Sequence, residues 1–253
     1  YVVDVATKNN RIETLFVQNK SGKTAYSVHS VVDATGDCDI AEFAKIPTET
    51  FKQGNVLAAW YYFTDQNGYR LQMVGASDVP EEERTGNEAK PLVNNRFGGL
   101  NGEEISKMVC LSHEKTLEHW LKKRESNPSA VISTIATIPQ IRMTRKIVGE
   151  YELSHTEVHT YFEDSIGMVS NWKKRGPIYE VPFRTLYNKS VKNLIVAGRC
   201  TCVNETLWDV MRVIPCCAVT GQAAGTAAAM TDDFAALDIK KLQEALVADK
   251  VVL

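Results

Sequence analysis

Hydrophobic and polar positions alternate along residues 1 to 34, and polar turn residues interrupt the alternation twice. Tyr1–Thr7, Arg11–Gln18 and Thr24–Val32 read as strands, with Asn9-Asn10 and Asn19-Lys20-Ser21-Gly22 as the turns of a three-stranded meander. The third strand runs into Ala34-Thr35-Gly36 and an acidic helix start, where Asp37 or Asp39 is placed to cap. Val56–Phe63 is an apolar run that predicts a further strand, and residues 75–102, rich in Gly, Asn, Pro and Glu and including Arg96, predict a long loop. Helical spacing follows over Asn101–Ser126, with Asn101 as cap and Ile105, Met108, Val109, Leu117, Trp120 and Leu121 as the apolar face. Its two histidines, His113 and His119, read as exposed or satisfied in packing. Val131–Ile138 predicts a strand, Ser154-x-x-Glu157 a capping box for a short helix, and Gly176-Pro177 a turn before Ile178–Leu186. A terminal helix starts at Asp238, with Ile239, Leu242, Leu246 and Val247 inward.

The most informative pattern lies at 193–230. Leu194–Ala197 is a short β-branched run that suits a buried strand, Gly198 ends it and Arg199 follows. After a loop, Val213-Ile214 leads to Pro215, a residue preorganised for a first helical position. The helix beyond it carries Gly221, Ala223, Ala224, Gly225, Ala227, Ala228 and Ala229. Ile214 cannot cap, so the first amides, those of Cys216 and Cys217 among them, need another partner, and such helix starts attract anions and carbonyl oxygens. The same composition also suits a helix whose small residues serve packing alone.

Composition adds bounds rather than direction. The chain has 253 residues, 44% hydrophobic and 24% charged, with net charge −2, enough for one large domain or two modest ones. No basic excess points to nucleic acid and no apolar run reaches membrane-span length, so neither is expected as a partner, and the expected compartment is cytoplasmic. The six cysteines (Cys38, Cys110, Cys200, Cys202, Cys216 and Cys217) lack zinc-site spacing and read as reduced thiols, so no metal is expected.

Two segments, in order, carry a family resemblance. Ala197-Gly198-Arg199, followed by Arg212-Val213-Ile214-Pro215 and Gly221-Gln222-Ala223-Ala224-Gly225, resembles the C-terminal flavin motif of the FAD-dependent oxidoreductases of the glutathione-reductase-like fold. Ala34-Thr35-Gly36-Asp37 resembles the same family's turn beside the adenosine-diphosphate part of the cofactor. The resemblance implies an α/β chain: an FAD-binding-type doubly wound domain with a β-meander, and an inserted α+β cap that takes a small-molecule substrate. It divides the chain into 1–46 (meander and strand end), 47–185 (cap) and 186–253 (flavin strand, flavin helix and terminal helix). The implied cofactor is FAD, and the implied FAD-binding residues are Ala34, Thr35, Gly36, Asp37, Gly198, Arg199, Arg212, Val213, Pro215, Cys216, Gly221, Gln222, Ala223 and Ala224. The implied activity is hydride transfer between an organic substrate and flavin, with the helix at Pro215 directed to the flavin's pyrimidine edge.

The segment Pro139–Tyr151 also resembles the family. Arg142 and Arg145, three apart and on one face if helical, are the candidate catalytic groups, holding a substrate carboxylate or stabilising negative charge. The alternative is structural, with Arg145 paired to Glu150 or another acid. Family members carry a proton-transferring His before the return to the flavin domain; here Val169–Gly176 has none, and His155 and His159 stand outside that position. No G-x-G-x-x-G occurs. That, with a start inside a strand and no Met, leads us to expect an N-terminal half elsewhere, cleaved or on a separate subunit. The chain would then be the C-terminal part of an oxidoreductase, a complementing subunit, or a non-enzymatic scaffold.

Overall fold

The computed structural model describes residues 1–75 and 91–253; the centre of the expected loop, 76–90, lies outside the described residues. The strands are β1 (Val2–Lys8), β2 (Arg11–Asn19), β3 (Gly22–Ser27), β4 (Val31–Asp33), β5 (Thr48–Thr50), β6 (Trp60–Asp65), β7 (Gly68–Met73), β8 (Val131–Ile135), β9 (Arg145–Ile147), β10 (Ser165–Ser170), β11 (Ile178–Pro182) and β12 (Leu194–Val196). The helices are α1 (Asp39–Phe43), α2 (Gly102–Ser126), α3 (Glu205–Met211), α4 (Ile214–Met230) and α5 (Ile239–Ala248). The result is a mixed α/β chain of small sheets in two compact units, Tyr1–Thr50 with Arg145–Leu253, and Phe51–Thr144. The second unit is narrower than the 47–185 read from sequence, because β9 pairs antiparallel with β5, and 145–185 pack with the first unit.

In the first unit β1, β2 and β3 form the expected antiparallel meander. The predicted third strand is two strands. It breaks at Val28–Ser30, and β4 leaves the meander to run parallel to β12, with Val31↔Leu194 and Asp33↔Val196 in register. Asn193, 1% exposed, explains the break. Its side chain accepts from Ile12 N at 2.8 Å and donates to the carbonyls of Ile12 (2.8 Å) and His29 (2.9 Å), while its own carbonyl accepts from Val31 N at 2.8 Å. One buried amide thus satisfies backbone groups on both sides of the break. α4 packs on β10, β12 and β4, and α5 packs on α4.

Three other expectations change in this unit. Residues 154–161 form turns instead of a helix: Glu157 does accept from Ser154 N at 2.7 Å, but His159 takes φ 56° and its amide bonds Ile178 O. A helix, α3, occupies part of the expected loop, capped by Asn204, whose side chain accepts from Leu207 N. Neither Asp37 nor Asp39 caps α1; Cys38 sits at the cap in the left-handed region, and Thr35 Oγ1 accepts from Asp39 N at 3.1 Å.

In the second unit β7, β6 and β8 form an antiparallel sheet, and Val56–Ala59 are buried but not strand. Asn101 caps α2 as read, accepting from Glu104 N. The helix buries Met108, Ser112, Thr116 and Trp120, while Leu117 and Leu121 stay exposed. His113 bonds Ala136 O and His119 bonds Tyr61 Oη, as packing residues. Asn55, fully buried, bonds Phe97 O and Met143 O and accepts from Arg142 N and Met143 N. Arg96 donates to Gly54 O at 3.2 Å. Among the described residues no single helix is long and apolar enough to cross a membrane; α3 with α4 passes by composition only as a pair bent by 88°.

Candidate functional site

The parallel pair β4–β12 delivers two loops to one place. β4 ends at Asp33 and continues as Ala34-Thr35-Gly36; β12 ends at Val196 and continues as Ala197-Gly198-Arg199. Ligands of open α/β sheets bind outside such carboxyl ends. Both turns use glycine in the left-handed region, Gly36 at φ 81° and Gly198 at φ 65°. Asp33, fully buried, shapes the first turn: Oδ1 accepts from Thr35 N (3.1 Å) and Thr35 Oγ1 (2.7 Å), and Oδ2 from Ala41 N (3.0 Å). Ala34 and Thr35 are left exposed.

Arg199 locks the two turns together. Its Nε donates to Gly36 O at 3.0 Å, and Nη2 lies 2.9 Å from Asp37 Oδ1. Trp208 of α3 holds Arg199 O from behind at 2.7 Å. α4 joins through Thr220, whose Oγ1 accepts from Gly198 N at 2.9 Å and donates to Cys216 O at 3.0 Å.

The start of α4 is open. Val213 at the cap position offers no side-chain bond, Ile214 is 86% exposed, and Pro215 is exposed beside it. The amide of Cys217 is taken by Val213 O, so of the amides expected to point outward only those of Ile214 and Cys216 lie outside the helix's own ladder. The helix buries Cys216, Thr220, Ala223, Ala224 and Ala227 and turns Pro215, Gln222 and Gly225 outward. Gly221 is half-buried, and a Cβ built there meets nothing within 4 Å. Of the residues the resemblance named on this helix, Pro215, Gly221 and Gln222 therefore face open space, whereas Cys216, Ala223 and Ala224 face the core. Arg212 and Val213 are half-buried, and Arg212 Nε donates to Asp209 Oδ1 at 2.7 Å. Burial pushes the Cys216 thiol up to about 11. Burial also raises Cys217, against the pull of Arg199. Cys38 is raised by a hydrogen bond with the buried Cys200 thiol and by burial.

The two candidate arginines do not share a helix face. Residues 139–144 are irregular and Arg145 opens β9. Arg142 belongs to the second unit and bonds Gln140 O at 3.2 Å. Arg145 belongs to the first and is tied to α1: Nη2 to Asp39 Oδ1 at 2.8 Å, Nη1 to Glu42 Oε2 at 3.3 Å, and Nε to Asp37 O at 2.9 Å. Burial and then Asp37 hold the Asp39 carboxyl above its ordinary range, with Arg145 opposing them. Glu150, the acid named for Arg145, pairs with Lys189 at 2.9 Å.

A family model described as FAD dependent oxidoreductase matches residues 62–246, well over half of the chain. The chain belongs to the FAD-dependent oxidoreductase family. FAD is therefore its cofactor class. The match takes in Gly198-Arg199 and the whole of α4, while Ala34–Asp37 precede it. No curated protein and no solved structure matches the chain. The residues present fit a flavin nucleotide. Two glycine turns converge at parallel strand ends, the start of α4 is uncapped, and the space above Gly221 is clear.

Asp209 and Thr220 were not singled out from sequence, although both organise this region. Asp209 stands three residues before Arg212 on a short helix, a spacing that puts an acid and a base side by side. Nothing in the local pattern marked Thr220, because its bond to Gly198 spans separate elements.

Proposed function

We propose that this chain supplies the flavin-contacting part of an oxidoreductase that moves a hydride between an organic substrate and FAD. Bound FAD supplies the two-electron acceptor chemistry. The chain's own residues hold and orient it. Ala34 to Asp37 and Gly198-Arg199 line the strand ends; Arg212 to Pro215, Gly221 and Gln222 present the open side of α4. Cys216, Ala223 and Ala224 act from behind by setting how closely α4 packs. The doubly wound domain and glutathione-reductase-like subtype belong to this proposal, supported by the parallel β4–β12 pair. Arg142, bonded to Gln140 O within the second unit, is kept as a candidate for stabilising negative charge, and Arg145 supports Asp37.

The observation that carries the reading is the convergence of Gly36, Arg199 and the α4 start at one pair of parallel strand ends. Gly221→Leu tests it. The added side chain meets no protein atom near its Cβ, so circular dichroism should be unchanged while FAD retention in the visible spectrum is lost. Full flavin occupancy in the variant would sink the assignment.

A second reading follows from the same sheet. Among the described residues no strand pairs with the outer edge of β4, and sheet edges left open are templates for pairing. A separate half or subunit carrying the glycine-rich phosphate loop would pair there, and FAD would be retained only by the pair. Intact mass with the visible spectrum separates the readings. Colour from a chain of this mass alone argues against the two-part enzyme, and colour only with a second chain argues for it. No colour under either condition leaves a scaffold.

A further inference from the structure

The turn between β10 and β11 is built as a basic pocket. Ser170 to Ile178 carries Lys173, Lys174 and Arg175 and no acid. It curls around an open surface depression of about 450 Å³ lined by the turn's own residues, these three cations and the Trp172 indole among them, with Trp172 52% exposed. The turn is preformed. Asn171 Oδ1 accepts from Lys173 N at 2.9 Å, and Asn171 N donates to Pro177 O at 3.0 Å.

The turn is anchored on Asp209 of α3, 1% exposed. Trp172 Nε1 donates to Asp209 O at 3.0 Å. Lys173 Nζ lies 2.8 Å from Asp209 Oδ2, as an ion pair rather than an aligned hydrogen bond. The other carboxylate oxygen holds Arg212 Nη2 at 2.6 Å. One carboxylate is thus shared by two cations from separate segments, and positive charge remains in excess. Lys173 is fixed by Asp209, while Lys174 and Arg175 are exposed beside it and add positive potential at the rim; a held cation beside a partly desolvated surface favours an anion more than a cation in bulk water does. An indole held rigid by its N–H offers a flat apolar face to the rest of such a ligand.

We propose that the β10–β11 turn, held by Asp209, is the substrate-recognition wall of this enzyme and that its substrate is an organic anion, a carboxylate on a flat apolar body. Lys173 and its two basic neighbours meet the carboxylate, Trp172 meets the body, and Asp209 is the positioning residue. The placement beside the flavin rests on the reading of α4 given above, since Arg212 joins Asp209 to the start of that helix; the anion preference does not.

The test uses benzoate and its uncharged analogue benzamide at fixed ionic strength, read by tryptophan fluorescence excited at the red edge. Benzoate should give a saturable change and benzamide a markedly weaker one. Lys173→Gln should raise the half-saturation concentration about tenfold, the expectation for losing one charge-assisted contact of about 1.4 kcal/mol. Trp172→Phe should remove the signal. Equal response to both probes, or no saturation, overturns the proposal. In protein loaded with FAD, benzoate should also shift the flavin absorption. Saturation without that shift overturns the placement beside the flavin and keeps the anion pocket. Failure of FAD to bind, with benzoate saturation intact, counts against the flavin reading alone.

Discussion

Arg199 Nη2 and Asp37 Oδ1 lie 2.9 Å apart across 162 residues of sequence, and they join the ends of the two parallel strands. The pair is half-buried, so its worth exceeds that of a fully exposed ion pair without approaching that of a core one. Arg199→Ala should lower stability by about 1 kcal/mol and, on the proposed site, weaken FAD binding by about tenfold, because the two turns proposed to hold the cofactor lose their common clamp. A double-mutant cycle with Asp37→Asn isolates the coupling. Additive losses in denaturant unfolding would mean that the two residues do not communicate.

Gly36 gives a sharper test of the same geometry. Its φ of 81° disfavours a side chain, and a Cβ would lie 2.6 Å from Arg199 Nη2. Gly36→Ala should therefore cost about 1–2 kcal/mol from backbone strain alone and push the guanidinium off Gly36 O. Combining it with Arg199→Ala should recover part of the loss. Equal cost with and without Arg199 would show that strain alone is at work.

The sequence carried the turns and the helix start of the candidate site well and their connections poorly. Gly36, Gly198 and Pro215 were legible because each answers a local demand: a positive φ or a helix start. The meander was legible for the same reason, since alternation and turn residues act over a few positions. The break after Ser27 was not, because it depends on Asn193, a residue 164 positions beyond His29. Arg145 was read as sharing a face with Arg142 if the segment is helical, or as paired to Glu150 or another acid; it opens a strand that pairs with β5 and bonds Asp39 and Glu42. α3 was missed because its capping Asn204 and buried Trp208 read equally well as loop residues; its stability comes from burying Leu207, Trp208 and Met211. Cys216, Ala223 and Ala224 were placed on the correct helix, yet its facing was decided by packing on β10 and β12, which no periodicity in a run of small residues reveals.

Arg145→Ala separates the two roles left open for that residue. Its three bonds to α1 and Asp37 O are internal to one unit, and its side chain is only 13% exposed. Loss should destabilise the protein by about 2–3 kcal/mol, below the cost of breaking a fully buried pair because Asp39 and Glu42 are partly solvated. A direct role with substrate would instead raise KM with an unchanged melting temperature. That outcome would return Arg145 to the list of substrate-binding groups.

The buried thiols should set an alkaline limit on the fold. Burial places the Cys216 thiol at about 11, against an ordinary value of 9.0, and Cys38, Cys202 and Cys217 are raised too. A raised acid favours the neutral form in the folded state. The stability it contributes is complete below pH 9 and is lost as pH climbs toward 11, where the unfolded chain releases protons that the folded one retains. For Cys216 the gap between 9.0 and about 11 corresponds to about 2–3 kcal/mol. Unfolding free energy should therefore be flat between pH 7 and 8.5 and fall steeply by pH 10.5. Cys216→Ala, though weaker at neutral pH through loss of its contact with Val210 O, should fall less over that interval. Urea titrations at pH 7, 9 and 10.5 measure both. A parent and variant that lose the same amount would show that Cys216 does not report on its burial, and that the α4 start is more open to water than its packing implies.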